Sequence, residues 1–528
     1  MVSITSTGPA SAARETTIRW VLVAAFVILA VAAAIPVASV HIPPLADYVN
    51  HLARMHAIVA LDDDPILARF YVIHWHLLPN LMMDLVIPPL TRLVDLFTAG
   101  RIFIIGTLLL QAGGVVALSH ALFRRLTPAP LLAFAFLYNY VLLLGLLNYE
   151  MGIALALWGA AAWIWLRDGN PLRRGLVSAA FILVLFVCHL FGLGLYGFAL
   201  LCFECWRLQE TRGWRGNRRA LMRDLAAFVL PFVLALGLLL VSPTSKLAGW
   251  YAFGQAEKLE GLGWMVKTYF DHAEYALGAG LIAVALIAAR LGALRMHPVG
   301  WWVLGLGLVL YMAMPRVLFG SWGADFRLTI GLLFILLGCF SFEPRRLASV
   351  LTCLCAIGAL VAGRLVAVEG VWQAENRDLA AFSQSVDLLA PGSRVLVVAA
   401  DHETGTEALH MGLNHAACLA MIQRSSFVSD AFSRAGMQTL EVRPAFEDFT
   451  NERDDDPPTV GQLRAALDDP ASAVDFFWSH WWEHYDHVYV LFGDGLPTPP
   501  VPKLTPMVTG ARFVLFAVTP PVGGLTPP

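Results

Sequence analysis

Charge is scarce in this chain: Asp, Glu, Lys and Arg make up 14% of its 528 residues, where soluble domains carry about 25%. With 58% of residues hydrophobic, a wholly water-facing globule is excluded and most of the chain is expected in lipid. The formal net charge is only −3 and no basic domain stands out, which excludes a nucleic-acid partner. Cysteine is equally sparse. Cys188, Cys202, Cys205, Cys339, Cys353 and Cys355 fall within apolar runs, where a small thiol is ordinary packing. Cys418 stands alone in the more polar C-terminal part, so no internal disulfide forms there. Paired Cys and His at zinc spacing are lacking, as is any repeat of fixed period.

Long apolar runs are abundant. They occupy about 18–40, 102–123, 129–147, 149–166, 175–190, 191–206, 224–242, 276–289, 299–314, 326–342 and 347–368, which predicts a mainly α, polytopic membrane protein of about eleven spans. Arg14 and Arg19, Arg124 and Arg125, Arg167 with Arg173 and Arg174, the stretch from Arg207 to Arg223, Arg290 with Arg295, and Arg345 with Arg346 cluster in alternate gaps. The positive-inside rule turns those gaps to the cytoplasm. The parity requires 175–206 to be a two-pass hairpin of short helices broken around His189 to Gly192. Ile18 to Val40 is too long for a cleaved leader and reads as an anchor. The expected organisation is a cytoplasmic tail over 1–17, a membrane domain over 18–368 with an acidic outer loop at 41–101, and an extracytoplasmic domain over 369–528. The setting is a membrane, and Asp47, Glu150, Asp271 and Asp325 then open onto one compartment.

Beyond Val368 the hydropathy collapses. Ser393 to Ala400, His487 to Phe492 and Arg512 to Val518 read as strands, and 373–390, 460–468 and 471–485 as helices, which together make a small α/β domain. Asn451 to Pro458 reads as an exposed loop and the Pro/Gly-rich end as disordered. His480, His484 and His487 among Trp478, Trp481 and Trp482 fit either an interfacial aromatic helix or a metal cluster.

The chemistry-bearing stretch follows the first span. His41 to Arg54 (HIPPLADYVNHLAR) sets Asp47, Asn50 or His51, and Arg54 one helical turn apart, with Leu45, Val49, Leu52 and Val59 on the other face. Asp47 follows Pro43-Pro44, so it is open to two roles, a reacting carboxylate or a helix cap that accepts a backbone N–H. Asp62-Asp63-Asp64 before Pro65 reads as a solvated turn or a second acid source. His74 and His76 flank Trp75 in the manner of an interface anchor.

This stretch, with Pro79 to Asp84 (PNLMMD), Leu147 to Gly152 (LNYEMG) and Phe319 to Arg327 (FGSWGADFR), resembles the GT-C superfamily of integral-membrane glycosyltransferases. The resemblance covers most of the membrane part and is weak over the C-terminal domain. It implies transfer of a sugar from a polyprenyl-phosphate donor, within membrane lipid, to a glycan, lipid or protein acceptor, with no nucleotide sugar. Asp47 would take the acceptor's proton. Arg54, Arg316, Arg327, Lys246, Lys258 and Lys267 would offer cations to the leaving phosphate, while His51, Asn148, Glu150 and Asp325 would contact substrate. Many members pair two acids in this loop, some with a divalent metal. Here Ala46 and Tyr48 flank a single Asp47, which assigns no metal ligand and leaves a divalent metal open. Separation by one residue keeps Asp325 and Arg327 off a common helix face. A transporter, whose polar residues would line a path, and a non-catalytic envelope-assembly subunit are the competing classes. No pair of matching halves with broken helices marks a transporter.

Overall fold

A computed structural model describes residues 9–211, 218–254, 258–342, 346–401, 409–451 and 456–519. The first eight residues of the expected N-terminal tail, part of the basic stretch after Arg207, Arg345, most of the acidic run after Asn451 and the Pro/Gly-rich end lie outside the described residues. The chain forms two compact units. One comprises the residues up to Val37 with Ile104–Leu142 and Leu147–Glu369; the other comprises Ala38–Phe103, Leu143–Leu146 and the residues from Gly370 onward.

The first unit is helical. Across the described residues, seven helices are long and apolar enough to cross a membrane: Arg14–Ser39, Leu96–Phe123, Pro171–Cys188, Leu190–Glu210, Leu221–Val241, Asp271–Arg290 and Leu347–Val386. Helices Leu147–Trp165, Val299–Ala313 and Ala324–Gly338 occupy three more of the expected runs. The run 129–147 differs: it holds a 3-10 stretch, Ala129–Phe136, and one α turn, Tyr140–Leu143. Helices 171–188 and 190–211 meet at His189, whose backbone is extended, so the expected break falls there. Leu230, Leu240 and Ile282 are 65%, 70% and 64% exposed, an apolar surface suited to lipid rather than water. Small residues let spans close on one another. A Cβ on Gly192 would come 2.8 Å from the Gly152 Cα, so only glycine permits this backbone approach. One buried charge cluster is paired: Arg174, fully buried, and Arg167 each lie 2.7 Å from the Asp224 carboxylate.

In the second unit, a five-stranded sheet has the order Leu504–Thr509, Phe513–Val518, His487–Leu491, Arg394–Ala399, Phe427–Val428. Strand 394–399 runs parallel to both its neighbours, and the other two pairings are antiparallel. Val395 to Val398 are at most 1% exposed, in keeping with the unbroken apolar run of a strand covered on both faces. Phe382, near the end of helix Leu347–Val386, stacks on Tyr489 with ring centres 4.4 Å apart. Thr459 and Gln462 close a capping box on helix Val460–Asp468. The helix expected over 471–485 is not continuous: a 3-10 turn, Pro470–Ala473, and a four-residue helix, Trp481–His484, take its place. His480, at φ 48° in the left-handed region, marks the interruption.

Candidate active site

Asp47 is seated by backbone contacts. The N–H groups of Ala46 and Asp47 donate to the Leu143 and Leu144 carbonyls at 2.9 and 3.2 Å. That approach depends on Gly145, at φ +83°, where a Cβ would stand 2.8 Å from the Asp47 nitrogen. Helix Tyr48–Ala60 begins at the next residue, yet the Asp47 side chain makes no capping hydrogen bond and its backbone is helical (φ −87°, ψ −3°). A capping side chain ordinarily departs from an extended residue. The carboxylate is therefore free of the cap role, 24% exposed, with Oδ1 3.6 Å from Nε2 of His415.

His415 joins two acids. Its Nδ1 lies 2.5 Å from Asp430 Oδ2, its ring packs edge-on to Phe432 at 4.8 Å, and its side chain is 15% exposed. Asn50, one turn into the helix, holds the far side: its amide donates to the Asp430 carbonyl at 2.8 Å and its oxygen accepts from the Phe432 N–H at 2.8 Å. Burial disfavours the imidazolium, but the Asp430 charge and hydrogen bond, together with Asp47, outweigh it and push the His415 pKa up to about 10.

Behind this row, Arg54 and Asp84 form a two-pronged ion pair, Nε to Oδ1 at 3.0 Å and Nη2 to Oδ2 at 3.1 Å, with side chains 0% and 1% exposed. Arg54 Nη1 also donates to Gln438 Oε1 at 2.7 Å, and lies 3.2 Å from His51 Nδ1. Thr439 donates to Asp84 at 2.7 Å. Buried foremost, and next to the Arg54 charge, His51 has its pKa pulled down to about 4. Arg54 is thus committed to protein partners, and Asn50, His51 and Arg54 are buried along with Val49 and Leu52, whereas Val59, expected on the apolar face, is 48% exposed. Asp64 accepts from the N–H groups of Ile66 and Leu67 at 3.0 and 2.9 Å, the turn role its position before Pro65 suggested.

The remaining expected residues belong to the helical unit. Asp325, fully buried, accepts from Lys258 Nζ at 2.8 Å and Arg316 Nε at 2.9 Å. Those two cations, expected to face a phosphate, neutralise an internal carboxylate instead. Arg327 donates to Ser321 Oγ at 2.9 Å and lies 5.8 Å from the Phe191 ring centre; Tyr149 donates to its carbonyl at 2.8 Å. Lys267 lies 3.4 Å from Asp271 and 4.7 Å from the Tyr140 ring centre, and Lys246 is exposed. Asn148 is buried, its carbonyl accepting from Cys188 Sγ at 3.1 Å. Glu150 is fully buried and accepts from Gln111 at 2.8 Å.

His415 and Asp430 escaped the sequence reading, and no local signal could have found them. Asn50 and His415 are 365 positions apart. The 480–487 histidines fall on separate elements: His484 stacks on Phe449 at 4.3 Å and His487 opens a strand. Among the described residues, His74, His76 and Glu441 are the one group of three or more His, Cys, Asp or Glu side chains with a ligand atom from each within 4.8 Å of all the others.

The membrane-length helices, the α/β unit and the segment that follows the first long helix define a polytopic membrane protein with an ArnT-like fold. Among solved structures, the chain is similar to ArnT from Cupriavidus metallidurans bound to undecaprenyl phosphate, with TM-score 0.50 and 13% identity over 96% of this chain and 99% of that one. The apo form of the same protein aligns with TM-score 0.48 and 13% identity over 95% and 98%. No protein-family model and no curated protein matches the sequence.

Proposed function

We propose that the chain is a membrane glycosyltransferase that moves a sugar from a polyprenyl-phosphate donor to an acceptor hydroxyl outside the cytoplasm, with Asp47 as the general base. The observation that carries this reading is an uncapped, part-exposed carboxylate held 3.6 Å from the imidazole of His415, which is itself bound to Asp430. An acceptor hydroxyl approaching Asp47 hands over its proton as its oxygen bonds to the anomeric carbon. The bond from that carbon to the phosphate oxygen breaks, and the lipid phosphate leaves with the electron pair. His415 is a positioning residue. Tied to Asp430, it keeps a donor 3.6 Å from Asp47 Oδ1 and directs the carboxylate. The charge on the phosphate grows as it departs and calls for cationic donors beside it. Arg54 acts at one remove, by holding His51 and Asp84. The distribution of arginines between the spans supports a cytoplasmic N-terminus and an outer Asp47. An ArnT-like fold supports the carrier lipid, since that neighbour is the form bound to undecaprenyl phosphate.

Asp47→Asn keeps the size and removes the base. With a lipid-linked donor and acceptor, transfer should fall by roughly 10²–10⁴-fold, the usual worth of a positioned general base, at unchanged membrane insertion and melting temperature. Undiminished transfer rejects the assignment. Movement of labelled lipid across vesicles with no glycosidic bond formed would make the protein a transporter.

A further inference from the structure

Away from Asp47, the outer loop and the C-terminal residues build a second constellation. Strand Tyr71–Ile73 pairs antiparallel with Leu440–Val442, placing Val72 opposite Glu441. The pairing runs one residue further, where the His74 N–H donates to the Thr439 carbonyl at 2.8 Å. Side chains alternate along extended chain, so the residue two beyond Val72 returns to the Glu441 face. His74 does so, with Nδ1 2.7 Å from Glu441 Oε2. His76 is two residues further on, its ring centre 6.0 Å from that of His74. One ligand atom from each of the three lies within 4.8 Å of the other two.

We propose that His74, His76 and Glu441 form a binding site for a divalent metal of the zinc class. Two imidazoles and a carboxylate are a ligand set for zinc, which binds them at about 2.0–2.2 Å. Nitrogen ligands disfavour the oxygen-seeking magnesium and calcium. A metal at that range needs its ligand atoms about 3.3 Å apart, and the exposed imidazoles can turn through the remaining distance. Three protein ligands leave a coordination position for water or an outside group. A simple surface ion pair would account for His74 and Glu441 alone, and it has no use for His76. The metal would clip strand 71–73 to strand 440–442. Gln438 and Thr439, just before the second strand, are the residues that hold Arg54 and Asp84.

The test uses the full chain in detergent, stripped by chelator and titrated with Zn2+ against a competing indicator, then with Co2+ to read its visible ligand-field bands. One equivalent should bind, with a rise in melting temperature. His76→Ala and Glu441→Gln should each weaken binding by more than about 100-fold, since even outer-shell partners of a metal cost 10–100-fold, and should abolish the cobalt bands and the melting shift. The metal-free variants should melt as the metal-free parent does, which separates lost binding from lost folding. No stoichiometric binding by the parent, or equal affinity in parent and variants, overturns the proposal. Because binding is the readout, either result is independent of sugar transfer.

Discussion

At the scale of single residues, the centre depends on two histidines driven in opposite directions. His415 is pushed up to about 10 against the ordinary 6.5, and His51 down to about 4. A raised histidine stabilises the folded state fully below pH 6.5, and that contribution is lost progressively as pH rises from 6.5 through about 10. A depressed histidine acts at the other end. His51 costs nothing above 6.5 and destabilises as pH falls toward 4, because only the unfolded chain takes up the proton. Melting temperature against pH should therefore fall on both flanks. Asp430→Asn removes the main charge holding the His415 proton, so the alkaline fall should flatten in that variant while the acid limb stays. An alkaline limb unchanged by Asp430→Asn would mean that His415 is not the titrating group. Asp47 stood out in the sequence because it follows a long apolar run and proline. Its neighbour His415, 3.6 Å away, did not.

At the scale of elements, the Arg54–Asp84 pair joins helix Tyr48–Ala60 to helix Met82–Leu90. Both side chains are withdrawn from water, so removing one partner strands the other charge, at a cost of about 3–5 kcal/mol. Arg54→Met should lower thermal stability by that order. Asp84→Leu added to it should restore much of the loss, since a buried ion pair replaced by apolar groups is often neutral. The measurement is unfolding in detergent by tryptophan fluorescence, and a double variant no more stable than Arg54→Met would refute this account. Helical spacing placed Asn50, His51 and Arg54 on one face correctly, but it left that face to substrate or solvent. Segments around 415, 430 and 438 bury it instead. The His74-x-His76 spacing is likewise visible in the sequence, but the approach of Glu441 to it depends on the pairing of strands 71–73 and 440–442.

At the scale of the whole molecule, the residues from Gly370 onward form one compact unit with Ala38–Phe103. A chain ending at residue 369 should still insert in the membrane but leave loop 41–101 without its internal partners. Limited proteolysis should then cut within 41–101 far faster than in the full chain, and transfer should be absent. Equal protection of that loop in the truncated protein would contradict the shared unit.

Apolar runs, basic gaps and the strand-like stretches near 394, 487 and 513 are local patterns, and the sequence by itself determined from them a helical membrane protein with an α/β C-terminal part. Burial of a 3.6-residue or two-residue periodicity is specified by neighbours along the chain. The partners of Asp47, the commitment of Lys258, Arg316 and Arg54 to internal carboxylates, and the joining of His74, His76 and Glu441 were decided only by the tertiary structure. Each depends on a contact between residues distant in sequence, and a charge on a polar face reads the same whether water or a buried carboxylate awaits it.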